Sequence, residues 1–199
     1  MTKVEEIKRQ AISLMAEKSF DGVSLRQLAE AVGIQPGSIY AHYQSKHQLL
    51  LELFCDYQED LLSAWMEQGR CRDPQQALLS FVAVYVQFHL GRASESRIVQ
   101  LDFRSLDSQG KAVVCSLKAQ YEAELEAILS KGISAGVFRL THAGTARVGI
   151  LCLLQGICSA DCELARGDPS AVFEVCAAAT LRLVGASPMS QQVLSARRA

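Results

Sequence analysis

Residues 25–43 read LRQLAEAVGIQPGSIYAHY, and the spacing is that of two short helices crossed over a tight turn, a helix-turn-helix. Ala29 lies four residues before Gly33, so a small side chain faces the turn while the glycine is free to take the positive φ that bends the chain. Leu25, Leu28, Val32, Ile34 and Ile39 fall where the two helices must touch. Ser24 stands as N-cap of the first helix, with Gln27 three residues on to close a capping box. Pro36 suits the first turn of the second helix, expected over 36–43, because its missing N–H and fixed φ cost little there.

Upstream of this pair, Val4, Ile7, Ala11, Leu14 and Met15 recur at helical spacing and predict an amphipathic helix over residues 3–18 that covers it. Phe20 plugs the join, and Asp21-Gly22 makes a turn. Downstream, Ser45 can cap a long helix through Trp65 whose inner face carries Leu49, Leu50, Leu53, Phe54, Tyr57 and Leu61. Pro74 opens a helix to about Leu90. Further helices are expected over 93–106, 108–134, 141–166 and 168–185, with Gly136-Val137-Phe138 as a helix end and short loop and Thr141 as a cap. No stretch alternates with period two for long enough to form a strand. The chain therefore reads as all-α with about nine helices: a helix-turn-helix domain over 1–48, a larger helical domain over 49–187, and a frayed polar tail over 188–199.

With 199 residues, 49% apolar and 21% charged, the chain has the make-up of a globular protein and not of a disordered one. No apolar run reaches the ~18 residues of a membrane span; the richest, Val148 to Cys158, is broken by Gln155 and two glycines. The opening MTKVEEIKRQ mixes acids with bases and lacks the apolar core of a secretory signal, so a cytoplasmic location with no membrane partner is expected. Net charge is −1, with +1 up to Gln48 and −2 beyond it. A basic footprint normally supplies most of the affinity for phosphate, so a head this weakly charged must lean on local donors, helix N-termini and dimerisation to hold nucleic acid.

The seven cysteines form no C-x-x-C pair and mostly sit in apolar helical patterns, where reduced, buried thiols are expected. Cys158 and Cys162, with Asp161 and Glu163 near, could serve a metal or redox sensor. No further His or Cys pair completes a tetrahedral set by spacing, so no metal or other cofactor is expected and core packing is the plainer reading.

The run from Ser24 to Leu50, SLRQLAEAVGIQPGSIYAHYQSKHQLL, resembles the N-terminal domain of TetR-family transcriptional regulators. There an Ala-x3-Gly turn is followed by a Tyr, an aromatic residue, Ser-Lys and a Leu pair, here Tyr40, Tyr43, Ser45-Lys46 and Leu49-Leu50. Val32 stands where the family often has alanine, and Tyr43 where phenylalanine is common. The resemblance, which covers about the first quarter of the chain, implies a homodimeric repressor on a palindromic double-stranded operator. On the residues themselves, Gln35, Ser38 and His42 can exchange hydrogen bonds with base edges in the major groove, and Gly37 permits close backbone approach. On the resemblance, Tyr40 and Lys46 meet phosphates, and Ser24 with Arg26 grips the backbone. Ser24 has a second reading as a cap alone, and His42 as a solvated side chain; Tyr43 is assigned to the core.

Farther along, Val148 to Leu154 is apolar almost all round, so the helix must bury one side in its own domain and another elsewhere. In the resembled family two C-terminal helices of each protomer build a four-helix interface. That makes Val148, Leu151, Val172, Val175 and Ala179 candidates for it, with burial inside a monomer as the alternative. Phe81, Tyr85, Phe88 and His89 share a helical face, followed by Phe103, Arg104 and Tyr121. Such an aromatic wall suits a small-molecule site and equally any helical core. The segment FHLGRASESRIVQLDFRSL, with Tyr121 and GVF after it, is similar to C-terminal domains of TetR members that respond to fatty acyl-CoA or related thioesters. It implies a hydrophobic effector, an acyl-CoA as the candidate, with Arg92, Arg97 or Arg104 meeting its acidic portion. The helix expected over 45–65 would carry the signal to the head. An enzyme lacks support: there is no nucleophile elbow, phosphate loop or H-E-x-x-H, the four histidines are scattered, and Glu122, Glu124 and Glu126 read as a solvated face. The alternative class is a helical interaction protein without DNA binding.

Overall fold

The computed structural model describes residues 2–69, 71–159 and 161–186, so the tail expected over 188–199 lies outside the described residues. Among the described residues there are nine α-helices and no strand: α1 (Lys3–Lys18), α2 (Leu25–Val32), α3 (Pro36–Tyr40), α4 (Lys46–Met66), α5 (Pro74–Gly91), α6 (Ala93–Leu101), α7 (Ser108–Ser134), α8 (Ala143–Ile157) and α9 (Pro169–Leu183). Short 3₁₀ turns stand at Phe103–Ser105 and Leu164–Arg166.

Local chemistry accounts for the starts and stops. Ser24 Oγ accepts the Gln27 N–H at 3.2 Å while Gln27 Oε1 accepts the Ser24 N–H at 2.8 Å, the reciprocal capping box expected for α2. Thr2 and Glu5 make the same box for α1, and Ser45 Oγ caps α4 through the Gln48 N–H at 3.1 Å. Gly33 ends α2 in the left-handed region at φ 72, and Ile34 N–H closes back on the Ala29 carbonyl at 2.9 Å. Helix α7 ends the same way at Gly136, φ 69.

Three expected helices are shorter than their periodicity implied. Helix α3 stops at Tyr40, and the chain tightens as the His42 N–H turns to the Ile39 carbonyl at 3.0 Å. The helix expected over 93–106 breaks at Asp102, whose carboxylate is engaged by the backbone of Phe20. The one expected over 141–166 starts at Ala143, with His142 and not Thr141 at the cap, and ends at Ile157, where buried Cys158 begins a turn.

The chain packs as two compact units. The first holds the residues up to Ala64 together with Phe88–Tyr121. Its core joins Ile7, Met15, Phe20, Leu28, Ile39, Tyr43, Leu50 and Phe54 to Ile98, Leu106 and Val114, so α6 and the start of α7 are built into the same body as the helix-turn-helix. Lys8 ties α1 to α4 by reaching Glu52 at 2.5 Å and Asp56 at 2.6 Å. The second unit holds the described residues of Trp65–Gln87 and of the chain from Glu122 to residue 186. Leu78, Phe81, Leu125, Leu129, Ile150, Leu154, Val172 and Cys176 are buried in it. The acidic run of α7 is not the solvated face expected from its charge: Trp65 Nε1 donates to Glu124 at 3.2 Å, and Arg147 pairs with Glu122 and Glu126. Nor are the cysteines mostly buried: Cys158 and Cys176 are, but Cys71, Cys115 and Cys152 are exposed and Cys55 and Cys162 half-buried, Cys71 and Cys162 lying outside the helices.

Candidate nucleic-acid interface

Helix α3 is anchored by Ile39, which is fully buried, and by Tyr43 just past its end, 1% exposed as assigned. With those two turned inward, the remaining side chains face out. Gln35, Gly37, Ser38, Tyr40 and His42 are all exposed, Tyr40 by 55%. Gln35 occupies the N-cap position without making a side-chain cap bond, so its amide keeps its full hydrogen-bonding capacity for an outside partner. His42 sits in the turn after α3 and not on the helix, where it was expected.

Beside this face lies a concavity of about 480 Å³ whose lining includes Ser24, Tyr40, Ser45 and Lys46. The start of α2, the end of α3 and the start of α4 are thereby brought to one place, together with three of the four residues assigned to phosphate contact. Arg26, the fourth, is exposed in the first turn of α2. The N-termini of α2 and α4 add the partial positive charge of unpaired backbone N–H groups, which favours an anion. This is how a head of little net charge can still attract phosphate. Ser24 is confirmed as a cap, its Oγ already holding the Gln27 N–H. Lys46 is half-buried and committed in part: Nζ donates to the Phe20 carbonyl at 2.7 Å and lies 4.0 Å from the centre of the Phe20 ring. An ammonium has three protons, so two remain for an outside acceptor. Sequence reading missed Gln44, which also lines the concavity, and Asp102, whose carboxylate Oδ1 accepts the Phe20 N–H at 3.3 Å.

The residues assigned to the effector separate into the two units. Phe81 and Tyr85 are buried in the second, with the Phe81 ring set edge-on to Trp65 at 5.2 Å. In the first, Phe88 and buried His89 pack edge-on against Tyr57 at 5.0 and 5.7 Å. There too Phe103 is tilted on Phe54 at 6.1 Å, Tyr121 is buried and Arg104 is exposed. Arg92 is removed from the set expected to meet an acidic ligand. Its guanidinium binds Asp60 at 2.6 Å and Glu95 at 2.8 Å and stacks over Phe88 at 4.9 Å, and the two carboxylates hold its pKa above the usual arginine range.

On α8 and α9 the five interface candidates do not share one fate. Val148 and Val175 are 52% and 44% exposed, and Leu151 and Ala179 are half-buried. Val172 is fully buried within its own chain and is corrected from interface to core, because a side chain with no exposed surface has none to offer a second copy. Among the described residues, no group of three or more His, Cys, Asp or Glu could hold a metal, and no helix is long and apolar enough to cross a membrane.

Residues 7–53 match the family model of bacterial regulatory proteins, tetR family, and residues 71–159 match the tetracyclin repressor-like C-terminal domain. The HTH-type transcriptional repressor KstR2 of Rhodococcus jostii (strain RHA1) is 25% identical over 131 residues, 65% of this chain; the alignment spans 64% of that relative's length. A bacterial regulatory protein in the tetR family from Rhodococcus RHA1 superposes with a TM-score of 0.86 at 23% identity, covering 94% of this chain and 100% of the other. The protein AibR, solved in complex with isovaleryl coenzyme A and operator DNA, does so with a TM-score of 0.79 at 17% identity, over 94% and 100%.

Proposed function

We propose, because this chain belongs to the TetR family of transcriptional regulators, that it represses transcription as a homodimer on a palindromic operator and is released by a hydrophobic small molecule. The protein is a regulator and not an enzyme. The observation that carries the DNA-reading part is the division of α3: Ile39 and Tyr43 point inward while Gln35, Ser38, Tyr40 and His42 are exposed beside the concavity of Ser24, Tyr40 and Lys46. We assign residues 1–48 to DNA binding and 49–187 to effector binding and dimerisation. The test is retardation of the promoter segment adjoining the protein's own gene, with an unrelated duplex as control; equal retardation of both would leave a protein with no operator.

The roles divide between position and specificity. Tyr40→Ala or Lys46→Ala should weaken binding to all sequences alike, and Lys46→Ala, which removes a cation, should also reduce the salt slope by about one, whereas Gln35→Ala should relax preference at one base pair at a cost of about 1–3 kcal/mol. Binding isotherms on operator variants at several salt concentrations check this. If all three lowered affinity by one common factor on every variant, the division would be wrong.

An acyl-CoA thioester is the effector class we favour. Its support is the similarity of residues 88–106 to acyl-CoA-responsive members and the isovaleryl coenzyme A bound by AibR. Release requires that the ligand bind the DNA-incompetent state more tightly, and a coupling of about 1–3 kcal/mol gives roughly 5–150-fold loss of operator affinity. Titration of acyl-CoAs of increasing chain length into the protein–operator complex should reach that range at one length. No release at any length, with no change in melting temperature of the free protein, would remove the acyl-CoA assignment.

A further inference from the structure

Helix α1 ends in a backbone conformation that residues with side chains rarely hold: Ser19 has φ 59 and ψ 168, a region used almost only by glycine. Phe20, next in the chain, is buried, and both faces of its backbone are tied to groups far along the sequence. Its N–H donates to Asp102 Oδ1 at 3.3 Å, and its carbonyl accepts from Lys46 Nζ at 2.7 Å. The corner has no slack, since a Cβ added at Gly22 would lie 2.4 Å from the Lys18 carbonyl oxygen. Asp102 is itself buried at the break after α6. Burial raises its carboxyl above the usual range, and Asp21 adds to this, while the Phe20 N–H, Arg104 and Lys46 work against it. A carboxylate that carries such a desolvation cost yields a hydrogen bond in return, and that bond leads to the DNA-facing surface.

We propose that Asp102 is a positioning residue for the operator contact: by holding the Phe20 peptide it sets where Lys46 presents its ammonium in the concavity beside α3. The inference rests on the proposed reading of the head and deepens it. Helix α6 packs on α1 and carries Asp102 at its end, so a displacement of α6 reaches Phe20 through one hydrogen bond and Lys46 through a second. The strain at Ser19 makes the corner responsive. Without the Asp102 bond the backbone relaxes toward an ordinary φ, and the Phe20 carbonyl leaves Lys46.

A double-mutant cycle on operator affinity tests this. Asp102→Ala should weaken operator binding roughly 5–20-fold and lower the salt slope as Lys46→Ala does, yet add nothing further in the Lys46→Ala background. Asp102→Asn should restore affinity, because its amide oxygen still accepts the Phe20 N–H, and it removes a charge that burial disfavours. Additive losses, or failure of Asn to restore binding, overturn the proposal. If Asp102→Ala does not fold, Asp102→Asn is compared with the wild type alone, and an Asn variant that loses operator affinity overturns the proposal. If the wild type retards no duplex, the reading of the head fails, and the clamp is then judged in the free protein by acylation of lysines followed by mass spectrometry. Lys46 should be modified several-fold faster in Asp102→Ala than in the wild type; an unchanged rate overturns the clamp irrespective of DNA.

Discussion

Val148→Asp is expected to turn the protein into a monomer and to carry operator affinity down roughly 10³-fold or more, toward the sequence-independent level. Val148 is 52% exposed on α8 and Val175 44% exposed on α9, with Ala171, Ala178 and Cys152 also exposed on these two helices. Two neighbouring helices that show valine and small residues to solvent leave an apolar face whose burial a second copy would supply. A carboxylate on each copy, buried in that face without a cation to pair with, would cost several kcal/mol. Loss of dimerisation costs the operator far more than any single contact, since a palindrome is read by two heads held at a fixed spacing. Light scattering at micromolar concentration gives the state directly. Val172→Ala is the control: the side chain is fully buried, so the variant should melt lower and remain a dimer. A Val148→Asp protein that stayed dimeric and bound operator normally would place the interface elsewhere.

Gly132→Ala should lower the melting temperature by roughly 4–8 °C, against the usual gain from replacing a helical glycine. Propensity alone predicts stabilisation of about 1 kcal/mol for alanine inside α7. Packing opposes it. After Gly136 the chain turns back, Val137 and Phe138 N–H groups close on the Gly132 carbonyl at 2.9 and 3.1 Å, and the Phe138 ring comes to rest on the glycine itself. An added Cβ would lie 1.9 Å from Phe138 Cδ2 and 2.1 Å from Cε2, and Phe138, 3% exposed, has nowhere to move. Overpacking of this order costs about 3 kcal/mol, which outweighs the propensity gain by about 2. Calorimetry of Gly132→Ala, with Phe138→Leu added to make room, separates the terms. The double variant should regain part of the loss; a stabilised single variant would show that the ring yields.

What could be read directly from the chain was what adjacent turns of one helix decide for themselves. The capping box of Ser24 and Gln27, the glycine at 33, the inward set Leu28, Ile39 and Tyr43 and the outward set Gln35, Ser38 and Tyr40 all follow from chemistry acting over three or four residues. That range is the pitch of the helix, and sequence spacing encodes it. The same spacing overran where a tertiary partner intervened, as when α6 broke at Asp102 to meet the Phe20 N–H, 82 positions away.

Periodicity says that a helix has an apolar stripe and is silent on which neighbour will cover it. Val172 and Val175 were equivalent as letters, yet one is fully buried and the other open to solvent. Arg92 reads as a free cation until the fold brings Asp60, 32 positions back, to its guanidinium, and Glu122 and Glu126 read as solvated until Arg147 is laid beside them. The chain by itself thus determined the order of the helices, the caps of α2 and α4 and the inward and outward faces of α3, all set by residues three or four apart. Only the tertiary structure decided which charges are spent inside the protein and which apolar face is left open, because those depend on how packed helices bring together residues that no short-range pattern relates.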